Sequence, residues 1–312
     1  MTEPLTTKPL PGAFEKRLVP PDMDHQYFQN AALVPFPADS REFNAAAMWW
    51  LAETAFLSYC HPQFVRLAMH SVGFPRWRFF DGSVAECFVA ANETTAIVFV
   101  RGTEVFSVNA FFDVIADLNI RMVEESVGGK VHRGFAEALD EVWSGTEGVE
   151  QHLRGLQSSG VEHLWFTGHS LGAAIATLAA ARFGDARGVY TFGSPRVGNR
   201  EFVETLAAPV YRVVNNRDPV AQLPPTVRLP GGLVFDYDHC GTEYRFDSEG
   251  VLRRSTEEAE EATVEANPEG AAPEGIQVRL SRWIRESLPG TPTDHSPLYY
   301  ALRAWNTVVE SL

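Results

Sequence analysis

Short apolar runs alternate along the chain with segments of helical character. Several of the runs are rich in Val, Ile and Phe, which favours buried β-strands. The strands are predicted near residues 84–90, 96–101, 162–167, 188–192, 209–215 and 233–246. Helices are predicted between most of them, with a long one over 43–58 and a last one over about 298–310. Alternating strands and helices predict a mostly parallel sheet with helices on both faces.

The most informative segment is LWFTGHSLGAA, residues 164–174, in which an apolar run, a G-x-S-x-G pentapeptide and an Ala-rich helix follow one another directly. A buried strand that meets a helix in this way predicts a tight turn at Ser170, which lifts the serine hydroxyl clear of the sheet. Gly168 and Gly172 would let the strand and the helix pack closely. The pentapeptide also arises by chance, but the flanking patterns favour a nucleophile elbow.

A serine hydroxyl is a weak nucleophile at neutral pH, so it needs a histidine base and an acid that orients this base. If the triad residues occur along the chain in the order serine, acid, histidine, the acid and the base must both follow Ser170. Two histidines, His239 and His295, meet this condition. His239 lies in an alternating segment typical of a strand and hairpin, which favours a structural hydrogen bond. His295 lies in a Pro-rich loop before the last helix and fits the base better. A solvated loop histidine is the alternative for His295.

Asp218 is the preferred acid. It follows a short β-branched strand, at the end where open α/β sheets place their sites. The structural alternative is a turn made by the Asp218-Pro219 pair. Asp294, next to the proposed base, is the rival acid, but sequence neighbours rarely orient each other in this way.

Several further motifs follow one another along the chain. They are VRGT (100–103), VHRGF (131–135), the elbow (168–174), YTFGSPRVGN (190–199), the segment 211–225 that contains Asp218, and the Asp294-His295 pair followed by Tyr299. Taken in this order, they resemble the motifs of the class 3 lipases, the fungal-type lipase family of α/β-hydrolases. The resemblance runs from about residue 45 to the C-terminus. It implies an α/β-hydrolase fold, a triad of Ser170, Asp218 and His295, and an oxyanion hole formed by the backbone N–H groups of Thr103 and Leu171.

The oxyanion hole also has a physical reason. Attack on an ester carbonyl places negative charge on its oxygen, and preformed donors stabilise that charge. Leu171 would offer its N–H from a helix N-terminus. The second donor must come from a loop after another strand, and Thr103 lies in such a loop after the predicted strand 96–101. An ordinary strand-ending turn is the alternative for 101–103.

Residues 104–118, directly after Thr103, have apolar side chains at helical spacing and a polar stripe of Asn109, Asp113 and Asp117. They predict a short amphipathic helix. The resemblance implies a mobile lid whose apolar side meets acyl chains; the alternative is a surface helix permanently packed on the core. A lid rich in Phe and Val favours long-chain acylglycerols over feruloyl esters. The proposed lid contacts are Phe106, Val108, Phe111, Phe112 and Ile115.

Length and composition predict one domain. With 312 residues, 45% of them hydrophobic, the chain can bury one substantial core. We expect an extended N-terminal arm over 1–40 and a single α/β-hydrolase domain over 41–312. Residues 256–275 contain seven Glu and no Lys or Arg, which predicts a disordered or poorly ordered surface insertion. The more specific alternative is that this segment binds a partner.

The net charge of −14 argues against nucleic acid as a partner, because phosphate binding needs a basic surface. The longest wholly apolar run, 45–52, is too short to cross a bilayer. No signal peptide is visible, and the three cysteines match no zinc or redox motif, so a reducing, cytoplasmic location is the expectation. Leaderless secretion or prior removal of a signal are the alternatives.

The sequence therefore predicts a carboxylic ester hydrolase, above all a triacylglycerol lipase, that acts through a Ser-Asp-His triad and an acyl-enzyme intermediate. This chemistry needs no metal or cofactor. The expected partner is a lipid or ester substrate, met at an oil–water interface. The alternatives are a phospholipase A1 or a short-chain or feruloyl esterase with the same triad, and a non-catalytic lipase-like scaffold for protein interaction.

Overall fold

The computed structural model describes residues 4–12, 20–103, 121–228, 234–255, 263–265 and 291–312. Its helices are α1 (Ala45–Leu57), α2 (Pro62–Ser71), α3 (Arg133–Trp143), α4 (Val149–Ser158), α5 (Leu171–Phe183), α6 (Arg200–Val203) and α7 (Pro297–Glu310). Its strands are β1 (Arg76–Asp81), β2 (Glu86–Ala91), β3 (Thr95–Val100), β4 (Met122–Glu124), β5 (Lys130–His132), β6 (His163–His169), β7 (Gly188–Phe192), β8 (Val210–Asn215), β9 (Thr226–Arg228), β10 (Val234–Phe235), β11 (Thr242–Phe246), β12 (Leu252–Arg254) and β13 (Thr263–Glu265).

The central sheet has eight strands within the described residues, in the order β1-β2-β3-β6-β7-β8-β11-β12. Strands β3, β6, β7, β8 and β11 run parallel to one another. Antiparallel strands close both edges, β1 and β2 on one side and β12 on the other. The predicted mostly parallel sheet is confirmed.

Helices cover both faces of the sheet, as its alternating side chains require. In β2, Phe88 and Ala90 face a core built with α1 and α7, whereas Cys87 and Val89 face a core built with α3, α4 and α5. The central strand β3 is buried at every position. Because the parallel strands end at one edge of the sheet, the loops that follow β3, β6, β7 and β8 meet there.

One sequence prediction differs from the structure. The strand predicted over 233–246 is two strands, β10 and β11, because residues 236–241 form a loop that turns at Gly241 with a φ of +72°. In the acidic segment 256–275, the backbone of β13 pairs in parallel with β9. The rest of this segment lies outside the described residues. The disordered or poorly ordered insertion therefore stays a prediction.

The N-terminal residues 4–12 and 20–40 contain no helix or strand and lie against the body of the protein. The indole N–H of Trp305 on α7 donates to the carbonyl oxygen of Thr6 at 2.9 Å, and Phe28 is buried in the core beside α1. Among the described residues, no helix is both long and apolar enough to cross a membrane.

Candidate active site

Ser170 lies between β6 and α5 in a strained turn. Its φ of +58° and ψ of −130° are rarely adopted by a residue with a side chain. The turn brings α5 closer to both β6 and β3 than a methyl group would allow. A Cβ added at Gly168 would meet the backbone of Gly172, and one added at Gly172 would meet the carbonyl oxygen of Val100. The local geometry is therefore that of a nucleophile elbow.

His295 and Asp218 are in direct contact. His295 ends a 3₁₀ turn just before α7, and Asp218 lies three residues after the end of β8. The Nδ1 of His295 is 2.9 Å from one carboxylate oxygen of Asp218 and 2.8 Å from the other, and both side chains are buried. A carboxylate can only accept, so Nδ1 carries the proton and Nε2 holds the free lone pair in the neutral ring.

The Asp218 carboxylate accepts hydrogen bonds from two further groups. The hydroxyl of Tyr300 on α7 donates at 2.5 Å, and the backbone N–H of Val220 donates at 2.9 Å. Burial and the adjacent carboxylate raise the pKa of Tyr300 well above its usual value, so its hydroxyl remains a donor. Sequence reasoning missed Tyr300, because its partner Asp218 lies 82 residues earlier in the chain.

The rival acid, Asp294, serves the turn that carries His295. One of its carboxylate oxygens accepts from the backbone N–H of Thr291 at 3.0 Å, and the other from the side-chain amide of Asn216 at 3.0 Å. With Thr291 it forms a capping box. Its observed contacts are those of a residue that stabilises a loop.

His239, the other downstream histidine, lies in the loop between β10 and β11. Its ring hydrogen-bonds the main chain of Ala221. Burial, followed by the nearby Arg212 and Arg196, lowers its pKa well below the usual value. The structure thus places it in a cationic, structural environment.

Ser170, Asp218 and His295 gather at the carboxyl edge of three adjacent strands. Ser170 donates its backbone N–H to the carbonyl oxygen of Phe192, the last residue of β7, at 3.0 Å. The next residue, Gly193, has a φ of +57°, and a Cβ added there would lie 2.5 Å from Asp218 Oδ2 and 2.9 Å from His295 Nδ1. The turn after β7 therefore touches both the elbow and the Asp218–His295 pair.

The two proposed oxyanion donors lie on neighbouring elements. Leu171 is the first residue of α5, where the helix dipole places partial positive charge. Thr103 follows β3 by three residues. A Cβ added at Gly102, the residue before Thr103, would lie 2.6 Å from the carbonyl oxygen of His169, so this loop packs against the elbow.

The proposed lid, including Phe106, Val108, Phe111, Phe112 and Ile115, lies outside the described residues. Within the described part of the chain, no cluster of three or more His, Cys, Asp or Glu side chains could hold a metal ion.

A parallel sheet with a strained serine elbow at its edge and a buried Asp-His pair beside it defines an α/β-hydrolase. Residues 97–228 match the family model of the class 3 lipases, so this part of the chain is similar to that family.

Three related proteins show the range of the family. A secreted mono- and diacylglycerol lipase of Fusarium solani is 39% identical over 126 residues, which cover 38% of this chain and 35% of the relative. The chloroplastic phospholipase A1-Igamma1 of Arabidopsis thaliana is 39% identical over 100 residues, 24% of this chain and 19% of the relative. These matches thus span about a third or less of the relatives' length. A solved triacylglycerol lipase, described as having a serine protease triad as its catalytic centre, superposes with a TM-score of 0.50 at 25% identity, covering 67% of this chain and 82% of that one.

Proposed function

We propose that this chain is a carboxylic ester hydrolase in which Ser170 is the nucleophile, His295 the general base and Asp218 the residue that orients the base. The contact of His295 Nδ1 with both oxygens of Asp218, beside a strained serine elbow, carries the proposal. It sets the tautomer that a base needs, with Nε2 ready to accept a proton.

The reaction then follows from the roles of these groups. His295 Nε2 takes the proton of Ser170 as the hydroxyl oxygen attacks the ester carbonyl carbon. The N–H groups of Thr103 and Leu171 are the proposed donors to the oxyanion. The C–O bond to the alcohol breaks, and His295 gives its proton to the leaving oxygen. Water, deprotonated by the same histidine, releases the acid from Ser170.

Turnover of a soluble p-nitrophenyl ester tests this function. Ser170→Ala should lower the rate constant by about a millionfold, and His295→Ala by a similar factor, as expected when a triad member is removed. His239→Ala is the matched control, since it removes the other downstream histidine, and it should retain most activity if the protein folds. Near-normal turnover in His295→Ala would overturn the choice of base.

For the substrate class, we propose long-chain triacylglycerol. The apolar positions of 104–118 support it, because the apolar side of the amphipathic helix that the sequence predicts there would meet acyl chains at an interface. The solved triacylglycerol lipase and the Fusarium mono- and diacylglycerol lipase are consistent with it. The Arabidopsis phospholipase A1 favours one alternative, phospholipid hydrolysis. A panel of short esters, triolein and phosphatidylcholine separates them: faster release from phosphatidylcholine than from triolein would replace the first proposal by the second.

We propose a reducing compartment for the chain. Cys60, Cys87 and Cys240 are all buried and unpaired. Burial raises the pKa of Cys87 and of Cys240 to about 12, so both stay as unreactive thiols. The secreted Fusarium relative supports the opposite location. Fractionation of the source cells with detection of the native chain decides between the two.

A further inference from the structure

His169, the residue before the nucleophile, is hydrogen-bonded at both ring nitrogens. Its Nε2 is 2.7 Å from the main-chain carbonyl oxygen of His295, and its Nδ1 is 2.8 Å from the hydroxyl of Tyr59. A carbonyl oxygen can only accept, so Nε2 must carry the proton. Nδ1 is then an acceptor, and the Tyr59 hydroxyl donates to it. The two contacts together allow one tautomer.

The environment keeps this ring neutral. His169 is buried, and burial, followed by the adjacent ring of His295, lowers its pKa well below the usual value. The two histidine rings lie with their centroids 4.4 Å apart. A neutral ring can accept from Tyr59 and donate to His295 at the same time, whereas an imidazolium would present two donors and leave the Tyr59 hydroxyl without its acceptor.

Tyr59 is itself fixed between α1 and the loop that leads to Thr103. Arg101 donates to the carbonyl oxygens of Ser58 and Cys60, the two neighbours of Tyr59 in the chain, at 2.7 Å each. A Cβ added at Gly102 would meet the Tyr59 hydroxyl. The hydroxyl therefore touches the oxyanion loop on one side and His169 on the other.

We propose that Tyr59 and His169 form a positioning pair. The pair holds the main chain of the general base, His295, and the oxyanion loop, residues 101–103, at fixed positions relative to the nucleophile elbow. The inference rests on the proposed function, because it assigns the pair a role in that reaction. Neither residue exchanges a proton with substrate. His169 acts on His295 through its carbonyl group, and Tyr59 acts by fixing the tautomer of His169.

Substitutions that each remove a hydrogen-bonding group separate this role from ordinary core packing. Tyr59→Phe removes one hydroxyl and preserves the ring. Its matched control is Tyr190→Phe, since Tyr190 is equally buried and its hydroxyl accepts from the backbone N–H of Asn44 at 2.8 Å, at the other end of α1. His169→Gln keeps an amide donor that can reach the His295 carbonyl, whereas His169→Leu removes the donor.

Steady-state kinetics on a soluble p-nitrophenyl ester are the first test, at a pH where the wild type is fully active. Tyr59→Phe should lower kcat about tenfold with KM within about twofold, since the loss of a hydrogen bond is worth up to about a factor of ten. His169→Leu should lower kcat by about a hundredfold, the effect of a base displaced by about an ångström. His169→Gln should recover most of the loss, and Tyr190→Phe should keep kcat near the wild-type value. Equal kcat in Tyr59→Phe and Tyr190→Phe, or no recovery in His169→Gln relative to His169→Leu, would overturn the proposal.

A second readout does not depend on turnover. Nitrogen-15 NMR of histidine-labelled protein should find His169 as the neutral Nε2–H tautomer across the range near pH 6.5 in which an exposed histidine titrates. An Nδ1–H tautomer, or titration in that range, overturns the pair even if His169→Leu does not fold. If the wild type and Ser170→Ala are equally inactive on every ester, the proposed function fails, while the NMR result still stands by itself and reports on the hydrogen bonds.

Discussion

Asp218→Asn replaces one carboxylate oxygen by an amide nitrogen with almost no change in shape. In the structure three donors converge on this carboxylate: Nδ1–H of His295, the hydroxyl of Tyr300 and the backbone N–H of Val220. An amide has one oxygen for these three donors. If that oxygen stays with Val220, the NH₂ group takes the other position, 2.8 Å from His295 Nδ1, and this shorter contact is a hydrogen bond only when Nδ1 accepts. The proton of the ring moves to Nε2, the nitrogen from which the proposed base acts.

The magnitude follows from the tautomer. A base whose Nε2 is protonated cannot take the proton of Ser170, and an acid-to-amide change of this kind costs about 10⁴ in kcat. This equals about 5 kcal/mol of transition-state stabilisation. The cost to folding is smaller, about 1 kcal/mol for each disturbed hydrogen bond. The rate should therefore collapse in a protein that is still folded.

Asp294→Asn is the control for this change. It weakens a capping box, which costs about 1 kcal/mol of stability, and it leaves the contact between His295 and Asp218 in place. Its kcat should stay within a few-fold of the wild type.

The assay compares kcat and KM of both variants on a soluble p-nitrophenyl ester, with urea unfolding to show that each is native. KM should change little in either. The reasoning is refuted if Asp218→Asn keeps more than about a tenth of the wild-type kcat, and the reverse ranking of the two variants would give the role of the acid to Asp294.

Three further variants test other contacts of the site and the core. Tyr300→Phe removes the 2.5 Å donor to Asp218 and should lower kcat about tenfold on the same ester, with circular dichroism unchanged. Gly193→Ala forces a side chain into a positive φ and against Asp218 and His295, so kcat should fall about a hundredfold and the melting temperature should drop; an unchanged kcat would contradict the close packing. Burial lowers the pKa of His132 to about 4, whereas the pKa is about 6.5 in the unfolded chain. The stability that the buried neutral ring contributes is therefore fully present above pH 6.5 and is lost as the pH falls towards 4. His132→Asn keeps an N-cap acceptor but has no titrating ring. Between pH 7 and pH 4 its free energy of unfolding, measured by urea titration, should fall by about 3 kcal/mol less than that of the wild type. Parallel pH profiles for the two proteins would refute this.

The elbow and the main strands were predictable because their signals are local. The G-x-S-x-G pentapeptide stands directly between an apolar run and an Ala-rich helix, and both neighbours are where the sequence places them. Asp218 was found for a similar reason, since a β-branched strand ends just before it. The contact between Asp218 and His295 was predicted less directly, by choosing among the residues that follow Ser170 according to the order of the triad along the chain.

The supporting contacts were not predictable because they join distant parts of the chain. His169 reaches a carbonyl group 126 residues further on, Tyr59 reaches His169 across 110 residues, and Tyr300 reaches Asp218 across 82. Nothing in the spacing of a tyrosine or a histidine indicates such a partner.

The base is fixed from two sides, which explains how a loop residue can be placed so closely. Its ring is held through Asp218, which is bound in turn by Tyr300 on α7. Its main chain is held by His169 at the end of β6. Both supports come from the sheet and from the helix that starts at Pro297, two residues after His295. The position of His295 should therefore depend on the sheet and on α7.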